Sequence, residues 1–70
     1  MSTPQNNIPN EYICPITLDI MREPMVMPDG HTYEKEAIKK ALELRPFSPL
    51  TKKSMKFSDG YINYSLKSLI

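Results

Sequence analysis

The chain is short of every group that small domains use as a staple: among 70 residues it has one cysteine, Cys14, and one histidine, His31. A single cysteine closes no internal disulfide, and one cysteine with one histidine cannot supply the four nitrogen and sulfur ligands of a structural zinc. At this size an apolar core offers little beyond the conformational entropy it must offset. The expectation is a fold held by packing and hydrogen bonds, with no cofactor. Long apolar runs are missing as well. Nothing approaches the roughly 18–20 residues of a membrane span or the core of a signal peptide. A lone cysteine suits a reducing compartment, so the expected protein is intracellular, cytoplasmic or nuclear, with no membrane partner. Nor is there an excess of one charge. Nine basic and eight acidic residues leave a net charge of +1, too balanced for the positive field that gripping a phosphate backbone requires. Nucleic acid is not the expected partner.

What is present reads as one small domain. Residues 1–7 are polar and read as a flexible leader, and the domain is expected over residues 8–70. Residues 11–22, EYICPITLDIMR, are rich in apolar side chains but broken by Pro15, which removes an amide donor and disfavours helix just before it. An ordered loop follows, with Ile13, Cys14 and Met21 turned inward. Met25, Val26 and Met27 precede Pro28, Asp29 and Gly30, a turn sequence that predicts a hairpin returning through His31 and Thr32. With Thr32 as N-cap, Tyr33, Ala37, Ile38, Ala41 and Leu42 share one helical face, predicting a helix over residues 33–44. Pro46 ends it, and PFSPLTKKS reads as a surface loop. A third strand is expected at residues 55–57, a turn at Asp59 and Gly60, and a final helix capped by Asn63, carrying Tyr64, Leu66, Leu69 and Ile70 and cut by the chain end.

Taken together, IPNEYICPITLDIMREPMVMPDGHTYEKEAI, SPLTKKSM and INYSLKSLI resemble the U-box family from Ile8 to Ile70. Each piece alone is a weak signal; their order and separation make a strong one. The resemblance implies an α+β fold like that of the RING finger but without zinc: two surface loops around a central helix, a short β-hairpin and a C-terminal helix. It also implies a ubiquitin-protein ligase module that recruits a ubiquitin-conjugating enzyme and promotes ubiquitin transfer from that enzyme's thioester to lysines of a protein substrate. The conjugating enzyme carries the thioester, so no catalytic residue is expected in this chain, and Cys14 and His31 read as structural. The alternative is a U-box-like interaction module with weak ligase activity or none.

By motif position, the resemblance makes Ile16 and Leu18 the first-loop contacts for the conjugating enzyme and Pro49 the apolar contact of the second loop. Pattern alone leaves this open, since Ile16 and Leu18 alternating with Thr17 and Asp19 equally suit a half-buried strand, and Pro49 equally suits a plain turn. Lys52 falls where many members carry an arginine that holds conjugating enzyme and ubiquitin together. Lysine keeps the charge and loses the planar fork. Ala41 stands where members often have a larger side chain, which predicts a shallower groove and modest affinity. Some members dimerise, and the apolar residues between Tyr61 and Ile70 are the candidate surface for a homodimer.

Overall fold

Pro28, Asp29 and Gly30 reverse the chain into a hairpin. Gly30 adopts φ 86°, a left-handed conformation that costs glycine little and other residues more. Its amide donates to the Met27 carbonyl and Met27 N to the His31 carbonyl. The computed structural model describes residues 8–70, so the expected leader lies outside the described residues. The strands flanking the turn are β1, Pro24–Val26, and β2, Thr32–Glu34. They pair antiparallel with Met25 opposite Tyr33. Pro24, which has no amide to donate, is tolerated in the central strand because it is the first residue.

The helix α1 spans Lys35–Leu44, with Glu34 at the N-cap. The expected start at Tyr33 and the Thr32 cap are therefore corrected. Both residues belong to β2, where pairing with β1 outweighs the helical propensity of the segment. Tyr33 still reaches the core, with none of its surface exposed, but from a strand. Helix α1 buries Ile38 and Leu42, one turn apart on the same face, and its last amide bond runs from Arg45 N to the Ala41 carbonyl just before Pro46.

The third strand also lies elsewhere than expected. β3 is Tyr61–Ile62, pairing antiparallel with β1 so that Met25 opposes Ile62 and the sheet order is β2-β1-β3. Residues 55–57 make no strand. Met55 is buried, and Phe57–Asp59 forms a 3-10 turn. That turn delivers the chain to Gly60, where a Cβ would lie 2.4 Å from Met27 Sδ and 2.8 Å from the Val26 carbonyl oxygen; only glycine lets β3 come this close. The last helix, α2, spans Tyr64–Leu69 and is capped as expected, Asn63 accepting from Leu66 N at 2.9 Å.

Residues directly opposite one another in the sheet share a face, so Met25, Tyr33 and Ile62 lie on one face of the sheet. The core comprises Cys14, Met21, Met25, Met27, Tyr33, Ile38, Leu42, Met55 and Leu66. Four of its nine members are methionines, whose unbranched chains fill irregular space between short elements. Among the described residues no cluster of histidine, cysteine, aspartate or glutamate could hold a metal ion, and no helix is long and apolar enough to cross a membrane.

Candidate functional site

Two loops leave this core, and each is fastened by a residue of β2. Adjacent side chains on a strand point to opposite faces, so Tyr33 and Glu34 work in different directions.

Glu34 faces the first loop, residues 13–22. Its two carboxylate oxygens accept from Arg22 N at 2.7 Å and Glu23 N at 3.0 Å. The buried Cys14 Sγ accepts from Ile16 N at 3.3 Å and from Glu34 N at 3.2 Å. Inside the loop, Cys14 N donates to the Asp19 carbonyl, Leu18 N to the Cys14 carbonyl and Met21 N to the Tyr12 carbonyl. The chain is wound tightly enough that Leu18 adopts φ 63°, an uncommon conformation for a side chain of this bulk. The winding turns Ile16 and Leu18 outward, 37% and 74% exposed respectively. Residues 15–17 form a turn, so the half-buried strand that the alternation equally allowed is not what the loop adopts.

Tyr33 faces the second loop, residues 46–55. Its hydroxyl donates to Asp29 Oδ2 at 2.5 Å, and Ser48 Oγ donates to the same oxygen at 2.6 Å. Ser48 is fully buried and its Oγ also accepts from Leu50 N at 3.0 Å and Thr51 N at 2.9 Å, so one hydroxyl ties the bend of the loop to the hairpin turn. Burial opposes ionisation of Asp29, but the hydrogen bonds from Ser48, Tyr33 and His31 N prevail and hold its carboxyl below the ordinary carboxylate value. Burial and the bond to Asp29 push the Tyr33 phenol up to about 12. Sequence reading took this loop as a surface that presents Pro49 and Lys52 and missed the buried Ser48. The available signal was its place two and three residues before Leu50 and Thr51, the spacing at which a serine hydroxyl captures its own backbone amides.

Against the C-terminal end of α1 the second loop forms a groove of about 280 Å³, lined by Ala41, Leu44, Arg45, Phe47, Pro49 and Lys52. Pro49 and Lys52 are thus brought together, whereas Ile16 and Leu18 stand on the first loop and do not line this groove. Leu44, 84% exposed, and Phe47 were not singled out from sequence. Leu44 lies three residues after Ala41 and so on the same helical face, which was the signal for it. Lys52 also adopts a positive φ, 67°, its ammonium 5.8 Å from the centre of the Phe47 ring. Lys53 turns away to donate to the Pro28 carbonyl. A larger hollow of about 410 Å³ lies between Ile13, Gly30, His31 and Leu66, but it contains none of the expected contact residues.

The chain is 43% identical over 65 residues to U-box domain-containing protein 51 of Arabidopsis thaliana, covering 93% of this chain and 8% of that protein. It is 44% identical over 64 residues to the E3 ubiquitin-protein ligase PUB24 of the same plant, covering 90% and 14%. It spans between 7% and 15% of the length of such relatives. Among solved structures, the solution structure of the RING finger-like domain of Retinoblastoma Binding Protein-6 superposes with a TM-score of 0.80 at 29% identity, covering 89% of this chain and 72% of that one. The model of the U-box domain family matches residues 8–70, which takes in both fastened loops, the helix between them and the hairpin that anchors them: the chain belongs to the U-box family.

Proposed function

We propose that this domain is a ubiquitin ligase module that recruits a ubiquitin-conjugating enzyme through its two loops and promotes ubiquitin transfer from that enzyme's thioester to lysines of a protein substrate. The observation that carries the reading is the outward presentation of apolar side chains on rigidly fastened loops: Ile16 and Leu18 on the first, Pro49 beside Leu44 and Phe47 on the second. Exposed apolar side chains held by hydrogen-bonded backbone lose little entropy on docking. The relatives named E3 ubiquitin-protein ligases support the same reading.

In this reading the domain supplies proximity and orientation to an amine attacking a thioester, and no group of its own enters the reaction. Cys14 fits that role, being fully buried with its sulfur accepting two backbone amides. The position of Lys52 in the groove lining supports a role for it in contacting ubiquitin and the conjugating enzyme. A lone unpaired cysteine and a ubiquitin-transfer role both fit a place inside the cell, in cytoplasm or nucleus.

The test is an NMR titration of the labelled domain with a panel of conjugating enzymes, coupled to an assay of ubiquitin discharge. Amide shifts at Ile16, Leu18, Leu50 and Lys52 that vanish in Ile16→Ala and Pro49→Ala, with folding intact, are the expected result. Shifts without accelerated discharge would leave an interaction module rather than a ligase, and no shifts with any enzyme would remove the recruiting role.

A further inference from the structure

The groove between α1 and the second loop has an apolar floor and a purely cationic rim. Ala41, Leu44, Phe47 and Pro49 supply its apolar lining, and the only charged residues that line it are Arg45 and Lys52. Neither is neutralised from within: among the described residues the one ion pair is Lys67 with Glu23, at 2.8 Å, on α2 and the segment before β1. The Lys52 ammonium is stationed over the Phe47 ring instead of on a carboxylate, and Lys52 N donates to the Ser48 carbonyl at 3.0 Å, which fixes the backbone from which it projects.

The near-neutral net charge conceals a division along the chain. Eight of the nine cations but only three of the eight acidic residues follow Glu34. The half that holds α1 and the second loop is therefore strongly positive, and the half that holds the first loop is negative. Opposed charge across an interface governs the rate of encounter and the choice of partner more than raw affinity, and unpaired exposed cations beside an apolar groove are complementary to carboxylates that flank an apolar side chain.

We infer that this groove selects among conjugating enzymes by charge, accepting a contact loop whose apolar tip is flanked by carboxylates that Arg45 and Lys52 receive. The inference rests on the recruiting function proposed above and adds which enzymes it favours. A loop flanked by lysines would fit the same apolar floor but bring like charges against the rim.

Two conjugating enzymes chosen by sequence, one with carboxylates and one with lysines within two residues of the apolar tip of the contact loop, distinguish the possibilities by isothermal titration. The domain is expected to prefer the acidic loop about tenfold at low ionic strength, and the preference to shrink toward parity in about 0.5 M salt, where exposed charges are screened within a few ångströms. A double variant, Arg45→Glu with Lys52→Glu, is expected to invert the preference, and Arg45→Gln with Lys52→Gln to erase it. Both side chains are exposed, so folding is expected to survive, as circular dichroism will show. Equal binding of both enzymes, unchanged by salt and by either double variant, would overturn the charge selection while leaving recruitment standing. Binding of neither enzyme by the unaltered domain would overturn recruitment and the selection with it.

Discussion

The first loop is fastened by acceptors that reach only backbone: the Glu34 carboxylate and the Cys14 sulfur take four amides between them. The second loop is fastened by side chains that reach one another, Asp29 with Tyr33 and Ser48, across 19 residues of sequence. In the first arrangement Arg22 N is exposed and keeps water as an alternative partner, while the Cys14 sulfur is buried. The second places the hydroxyls of two fully buried residues on one carboxylate oxygen, and loss of that oxygen leaves them only each other, 3.4 Å apart, in place of a charged acceptor. The contrast teaches that loops of equal length and similar exposure can depend very differently on a single side chain.

Asp29→Ala is the change expected to break this contrast furthest. It leaves the Tyr33 and Ser48 hydroxyls only their mutual contact at 3.4 Å and should cost about 2–3 kcal/mol of unfolding free energy in urea, with the Leu50 and Thr51 amides losing protection from exchange before those of the first loop. Glu34→Ala should cost less, about 1–2 kcal/mol, because Arg22 N is exposed and can turn to water; its mark is faster exchange at Arg22 and Glu23.

The pH dependence sharpens the same comparison. The Asp29 carboxyl is held low in the fold, so its contribution is whole at neutral pH and is lost as pH falls below the ordinary carboxylate value near 4. The Tyr33 phenol is raised to about 12, so its contribution is whole below about pH 10 and is lost as pH climbs from there through about 12. Urea midpoints measured across both ranges should fall at each end, and in Tyr33→Phe the alkaline fall should shrink, leaving the part due to Lys67, which its hydrogen bond to Glu23 also holds up. The smallest expected effect is at Lys52→Gly: relief of the left-handed backbone is offset by the added freedom of glycine in the unfolded chain, leaving stability within about 1 kcal/mol by thermal melting while conjugating-enzyme binding weakens.

What was legible in the sequence was local. Pro28 to Gly30 announced the hairpin turn, Pro46 the end of α1 and Asn63 the cap of α2, because each acts on residues within a few positions of itself. The order and separation of motifs pointed to the U-box fold, which then accounted for the missing zinc ligands. Tyr33 was placed in the wrong element because its spacing from Ala37 satisfies a helix as well as its opposition to Met25 satisfies a sheet, and only pairing across the turn decides between them. β3 escaped because two residues carry no periodicity, its position being set by the room that Gly60 leaves against Met27. At the candidate site, exposure of Ile16 and Leu18 followed from motif position rather than from pattern. The Asp29–Ser48 contact was invisible because nothing near either residue announces the other.

The left-handed turn at Gly30 sets the register of a strand only three residues long. Shifting β2 by one position would exchange the faces of Tyr33 and Glu34, sending the phenol toward the loop that needs a carboxylate and the carboxylate toward the hydroxyls of the other. A slipped hairpin therefore loses the fastenings of both loops together.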